Sequence, residues 1–213
     1  MADNTQLDAE VIAQDFASGI AVLKVSRNGF PPLPLQSSAG LRTGEEVFLV
    51  ASSGEENDRR IAGGALTSVS HFDAYWEYSL ERALTSTAMN PGPGGGPMLD
   101  MYGRMVGVVS LNLNEIGKFS LAIPVEYFTD HKDELLRYGR RVTRSSRAWI
   151  GMYSYTLKEH IVIADLLPDG PGAKAGLKAG DVILAIDEKE LTDHRAFYQQ
   201  LWSRPAGETV LFR

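Results

Sequence analysis

The sequence is most distinctive at Asn90-Pro91-Gly92-Pro93-Gly94-Gly95-Gly96-Pro97, a run made almost entirely of glycine and proline. Glycines let successive backbone N–H groups converge on an anion, so one interpretation is a phosphate-binding loop. The Lys-Ser/Thr pair that completes such a loop is missing, and no helix start follows. The other interpretation is a tight turn that leads into a hairpin over residues 98–105.

Short apolar runs surround this loop between residues 9 and 124, each bounded by glycine, proline or asparagine. Runs of this length and spacing favour a β-barrel or β-sandwich over alternating strand–helix–strand units. The predicted strands cover residues 9–13, 20–25, 46–51, 64–70, 104–110 and 119–124.

The pattern changes after Pro124. Apolar residues at 125, 128, 135 and 138 predict a helix over residues 125–138, and Gly139 fits its C-cap. The basic and polar residues 140–147 are typical of a linker. We therefore predict a domain over residues 1–124, a helix and linker over 125–147, and a second domain over 148–213.

The second domain is predicted to be of mixed structure. Strands are expected at residues 161–164 and 181–186, with a turn and a short helix between them over residues 168–180. Asp193 is a suitable N-cap for a helix from His194 to about Ser203.

Composition excludes several classes of protein. The 213 residues contain no cysteine, which excludes disulfide scaffolds, thiol nucleophiles and Cys-ligated zinc. Twenty-one Lys and Arg against 27 Asp and Glu give a net charge of −6, which argues against nucleic acid as a partner. No apolar run is long enough to span a bilayer, and residues 1–4 do not begin an export signal.

The run at residues 90–97 resembles the nucleophile loop of trypsin-like proteases of the HtrA/Deg family, which reads N-P-G-N-S-G-G-P. The glycines of that motif fall on Gly92, Gly95 and Gly96. The nucleophilic serine falls on Gly94, which has no side chain. The resemblance implies that the amides of Gly92 and Gly94 are the remnant of an oxyanion hole.

Residues 8–25 are similar to the family's D-x-x-[ST]-D-[LI]-A-[VL]-L-K segment, whose second Asp orients the catalytic histidine. Gly19 stands at that position. The family's histidine precedes this segment, and no histidine lies before Gly19 here. The resemblance therefore implies a protease-like domain without nucleophile, base or orienting carboxylate. The histidines that are present are interpreted as exposed or capping residues: His71, His131, His160 and His194.

Residues 169–187 resemble the G-P-A-x-x-A-G-L-x-x-G-D-x-I pattern of bacterial PDZ domains, with Gly172 in place of the usual Ala. In such domains, backbone amides of a loop before the first strand bind a peptide carboxylate, and the peptide adds as a strand. The matching loop is residues 148–152. The predicted peptide-binding residues, some of which have a purely structural alternative in the core, are Trp149, Ile150, Gly151, Met152, Phe197, Tyr198 and Leu201.

The predicted fold is mainly β with some α: an incomplete chymotrypsin-like double β-barrel followed by an incomplete PDZ domain, both shortened relative to the family. The predicted function is that of a non-catalytic module binding C-terminal or unfolded peptide segments, without metal or cofactor. A trimer and the bacterial cell envelope are implied by the family alone. Two alternatives stay open: a fragment or homologue of an active serine endopeptidase, and a purely structural assembly domain.

Overall fold

The computed structural model describes residues 7–52, 59–113 and 117–213. The export-signal prediction concerns residues 1–4 and lies outside them. The chain forms two compact units, one of residues 1–71 and 80–142 and the other of residues 72–79 and 143–213. The structure is mainly β, as the short apolar runs predict.

The first unit begins with an antiparallel pair of strands, β1 (Ala9–Asp15) and β2 (Ile20–Val25). Both agree with the predicted strands, β1 being two residues longer. A bulge interrupts their pairing between Val11 and Ala13. The turn between the strands contains Gly19 with a φ of +78°, a conformation that favours glycine.

A closed six-stranded barrel forms the body of this unit, in the order β3-β4-β5-β8-β7-β6. Alternate residues of its strands point inward, so that Val47, Leu49, Leu84 and Met98 are fully buried. The strand from 79 to 86 was not among the predicted runs, because polar residues interrupt it. The strands are β3 (Glu46–Ser52), β4 (Arg59–Asp73), β5 (Ser79–Ser86), β6 (Pro97–Asp100), β7 (Met105–Asn112) and β8 (Ser120–Pro124).

The predicted helix over 125–138 is wrong in its continuity. It is divided into α1 (Glu126–Thr129) and α2 (Lys132–Tyr138). The break falls at residues 129–131, where Thr and Asp, which are poor in helix interiors, meet His131 at a φ of −126°. The predicted C-cap is confirmed, since Gly139 has a φ of +69° and its N–H donates to the carbonyl of Leu135.

The second unit has a three-stranded sheet in the order β11-β10-β9 and a small two-stranded sheet, β12-β13. The predicted strand over 181–186 is divided at Leu184, whose N–H donates to the carbonyl of Arg213 instead of continuing the first sheet. The elements are β9 (Met152–Leu157), β10 (His160–Leu166), α3 (Pro171–Lys174), β11 (Val182–Ile183), β12 (Ala185–Ile186), β13 (Lys189–Glu190) and α4 (His194–Leu201).

Helix α4 begins where the sequence predicts. The side chain of Asp193 accepts a hydrogen bond from the N–H of Ala196 at 2.8 Å, which confirms the N-cap. Its apolar face covers the core of the sheet, where Ile161, Ile163 and Phe197 are almost fully buried. In the part of the chain described here, no helix is long and apolar enough to cross a bilayer.

Candidate functional sites

The glycine-rich loop connects β5 to β6 in the first unit. Two hydrogen bonds fix it to β7: the N–H of Gly95 donates to the carbonyl of Val109 at 2.7 Å, and the N–H of Val109 donates to the carbonyl of Gly96 at 2.8 Å. Gly95 has a φ of +99°, which a residue with a side chain adopts only under strain. The loop is therefore a tight turn held against the barrel, as one of the two interpretations of the sequence predicts.

Gly94, which the resemblance predicts to stand at the position of the family's serine, has no room for a side chain. A Cβ there would lie 2.8 Å from the carbonyl oxygen of Ser110 and 3.3 Å from that of Val109. Gly96 is tighter still, with 2.0 Å between its ideal Cβ and the carbonyl oxygen of Val50. Both obstacles are backbone atoms of strands, which cannot move without a shift of the barrel. Of the natural residues, only glycine therefore fits at positions 94 and 96.

One of the two amides predicted to be the remnant of an oxyanion hole donates a hydrogen bond within its own loop. The N–H of Gly92 donates to Oδ1 of Asn90 at 3.3 Å. Asn90 is itself buried, and its N–H donates to the hydroxyl of Ser120 at 2.9 Å. A preorganised oxyanion hole aims its N–H groups at the substrate. Here one of the two amides expected to do so donates instead to its own loop.

The turn at Gly19 is organised by its neighbours. The buried hydroxyl of Ser18 donates to Oδ2 of Asp15 at 2.7 Å, and the N–H of Gly19 donates to the carbonyl of Asp15 at 2.8 Å. The carboxylate of Asp15 thus closes the turn that positions residue 19, which the resemblance predicts to be the place of the triad carboxylate.

The predicted carboxylate-binding loop of the second unit has the expected backbone form. Gly151 has a φ of +78°, and the N–H groups of residues 150–152 all point toward one carboxylate. That carboxylate is the side chain of Glu77, from the connection between β4 and β5. The N–H of Ile150 donates to Oε1 at 2.8 Å, and those of Gly151 and Met152 donate to Oε2 at 2.7 and 3.0 Å.

Glu77 is the site residue that the sequence analysis missed. Burial raises its pKa, while the hydrogen bonds from the three amides oppose that rise. In the sequence, Glu77 is one acidic residue among aromatic neighbours, between two strands. This local pattern does not indicate a contact with a loop some 70 residues later. Trp149, which precedes the three amides, is 55% exposed.

The predicted pocket residues of α4 are buried. Phe197, Tyr198 and Leu201 belong to the core of this unit. For Phe197 and Leu201 this is the structural alternative that the sequence left open. Tyr198 keeps a polar role, because its hydroxyl donates to the carbonyl of Ala74 at 2.6 Å and accepts from the N–H of Glu77 at 2.9 Å. Burial raises the pKa of Tyr198 well above its usual range, so that its hydroxyl stays protonated and able to donate.

A serine–histidine pair also occurs in the second unit. The hydroxyl of Ser154 lies 2.9 Å from Nε2 of His194, and the hydroxyl of Thr156 lies 2.9 Å from Nδ1. Ser154 is only 1% exposed, and burial lowers the pKa of His194. The pair joins the start of α4 to β9. Within the described residues, no group of His, Asp or Glu side chains is arranged to hold a metal ion.

The fold defines a protein with a protease-type β-barrel unit and a PDZ-type unit. Comparison with known families agrees: the trypsin-like peptidase domain matches residues 1–108, and the PDZ domain matches residues 137–213. The chain belongs to the trypsin-like peptidase domain family and is homologous to the DegP/HtrA serine endoproteases. The predicted family and fold class are thereby confirmed.

Two relatives carry the description "probable periplasmic serine endoprotease DegP-like". The one from Halomonas elongata is 32% identical over 98% of this chain and 46% of its own length. The one from Pseudomonas fulva is 32% identical over 90% of this chain and 42% of its own. The chain thus spans less than half the length of these relatives.

Solved structures share the fold. A variant of the HtrA-type protease AlgW with a decapeptide has a TM-score of 0.57 and 25% identity, over 96% of this chain and 65% of that one. The serine endoprotease from Yersinia pestis has a TM-score of 0.57 and 24% identity, over 99% of this chain and 72% of that one.

Proposed function

We propose that this chain is a non-catalytic member of its family that binds C-terminal or unfolded peptide segments through its PDZ unit. The observation that carries the proposal is Gly94. The position that should supply the nucleophile has no hydroxyl, and a Cβ there would meet the carbonyl oxygen of Ser110 at 2.8 Å. Acyl transfer by this fold requires an attacking group next to a base, and glycine supplies none.

The other triad position supports the same conclusion. Gly19 cannot orient or balance the charge of a histidine, and its turn is closed by the bond between Ser18 and Asp15. The pair of Ser154 and His194 is a poor substitute. A substrate carbonyl must reach the nucleophile, and Ser154 is buried, while the second ring nitrogen contacts a hydroxyl and not an orienting carboxylate.

The peptide-binding half of the proposal rests on the loop amides. Three consecutive N–H groups, of Ile150, Gly151 and Met152, converge on the two oxygens of one carboxylate. A peptide that ends in a free carboxylate presents the same two oxygens. Strand β9, which follows the loop, is at the edge of its sheet and can accept the peptide as an added strand.

Two assays on the full chain test the proposal. Casein and a fluorogenic peptide should not be cleaved, and the double variant G19D/G94S should also be inactive, because no histidine precedes residue 19 in this chain. Peptides that end in Val, Leu or Phe should shift the NMR amide signals of residues 150–152 as free acids but not as C-terminal amides. Cleavage would refute the claim that the chain is non-catalytic. NMR shifts that are the same for the free acid and the C-terminal amide would refute the claim that the loop binds a peptide carboxylate.

A second candidate is supported by the relatives, which are described as serine endoproteases. On that proposal, this chain contributes its barrel and PDZ unit to an endopeptidase. A trimer, the assembly that the family resemblance implies, would be the form to seek by light scattering. Turnover of casein by the purified chain, lost on treatment with a serine-directed fluorophosphonate, would establish this candidate in place of the first.

A further inference from the structure

The connection between β4 and β5 belongs to the second unit and covers the loop of residues 150–152 and the start of β9. Besides the three bonds to the Glu77 carboxylate, the N–H of Ser154 donates to the carbonyl of Tyr75 at 2.8 Å. The carboxylate of Glu77 thus accepts from the N–H of Met152, and the carbonyl of Tyr75 accepts from the N–H of Ser154, two residues further along β9. Residues 75–77 form a bend that lies along this edge strand, and β-strand addition places a bound peptide along the same kind of edge.

The helix side of the groove holds the same segment. The hydroxyl of Tyr198 in α4 donates to the carbonyl of Ala74 and accepts from the N–H of Glu77. The segment closes on itself through the N–H of Ala74, which donates to the carbonyl of Tyr78 at 2.8 Å. Backbone groups of Ala74 and Glu77, as well as the Glu77 carboxylate, are thus bound by other elements of the same unit.

The backbone of Glu77 is strained to reach this position. Its φ is +54°, a left-handed conformation that residues other than glycine adopt at a cost of about 1–3 kcal/mol when the surroundings enforce it. A surface turn with no binding role would readily use glycine or asparagine there. In this chain the residue in that conformation is a glutamate, and its carboxylate accepts hydrogen bonds from three amides.

We propose that residues 73–78 are an intramolecular ligand of the PDZ groove, in which the Glu77 side chain takes the place of a peptide's C-terminal carboxylate. This proposal rests on the function proposed above and adds its regulation. An external peptide binds only to the fraction of molecules in which Glu77 has left the loop, so its apparent dissociation constant is the intrinsic one divided by that fraction. The groove is therefore selective for peptides that outcompete the internal carboxylate.

The test measures binding of one probe to matched variants of the full chain. The probe is a fluorescein-labelled mixture of ten-residue peptides that end in Val, Leu or Phe as free acids, with the C-terminal amides as the negative probe. If the groove is free in about a tenth of the molecules, Glu77→Ala should tighten binding about tenfold. Glu77→Gly should do the same and also relieves the strained φ. The matched control is Glu188→Ala, an exposed carboxylate of the same unit.

A second readout follows the internal ligand without any peptide. In the unaltered chain, the amide proton of Gly151 should resonate downfield, because it donates to a carboxylate at 2.7 Å. Glu77→Ala and Glu77→Gly should move it upfield, and the free-acid peptide should restore it. Far-UV circular dichroism then shows whether each variant keeps its fold.

The outcomes separate the two proposals. Tighter binding of the free acid by both Glu77 variants, with Glu188→Ala unchanged, supports the internal ligand. Equal binding by all variants, still dependent on the free carboxylate, overturns the internal ligand and leaves the peptide-binding function standing. Absence of carboxylate-dependent binding in every variant, including folded Glu77→Gly, overturns both.

Discussion

A serine at residue 94, the predicted nucleophile position, should destabilise the barrel without conferring activity. In Gly94→Ser, the new Cβ lies 2.8 Å from the carbonyl oxygen of Ser110, which is 0.6 Å inside the 3.4 Å at which ordinary contacts begin. The obstacle is the backbone of β7, so the strain cannot be relieved by a rotamer change. Overpacking of this kind costs about 1–3 kcal/mol, and loss of a glycine from the unfolded chain offsets about 0.4–1 kcal/mol. We expect a net loss of roughly 1–2 kcal/mol.

Urea unfolding followed by far-UV circular dichroism measures this loss. Tryptophan fluorescence is less suitable, because all three tryptophans lie in the second unit, at residues 76, 149 and 202. Gly40→Ser is the matched control, since a Cβ at Gly40 meets no atom within 4 Å. An unfolding midpoint equal to that of the unaltered chain would refute the steric argument. Labelling of the introduced serine by a fluorophosphonate would contradict the proposal that no base activates a serine at this position.

Three further predictions concern the barrel and α4. Gly96→Ala should be more damaging than a serine at residue 94, giving insoluble or unfolded protein on expression, because its Cβ would lie 2.0 Å from the carbonyl oxygen of Val50. Asp100→Ala should lower the free energy of unfolding by about 1–3 kcal/mol in urea titrations, since Oδ1 accepts the N–H of Arg104 and Oδ2 its guanidinium. Burial lowers the pKa of His194 in the folded state. Just below the usual histidine pKa of about 6.5, the unfolded state therefore binds more protons than the folded state. The free energy of unfolding should rise with pH up to about that value and then level off. Urea midpoints between pH 5 and 8 check this, and His194→Gln should flatten the profile.

The sequence predicted those features that depend on neighbouring residues. The Asp193 cap, the Gly139 C-cap and the turn at Gly95 each follow from a few adjacent residues whose backbone preferences are strong. The family motifs, which are also contiguous, predicted the barrel and PDZ classes. Predictions failed where tertiary pairing overrides local pattern, as in the strand from 79 to 86 and in the helix divided near residue 130.

The sequence by itself determined that residues 19 and 94 carry no catalytic group, because the absence of a side chain is a property of glycine in any fold. Only the tertiary structure decided that residue 94 has no space for a side chain, since its neighbours come from a strand more than ten residues later. Only the tertiary structure places the carboxylate of Glu77 on the amides of residues 150–152. That contact joins groups over 70 residues apart in the sequence. It forms because the fold brings the two segments together, and no local sequence pattern indicates which distant segments will meet.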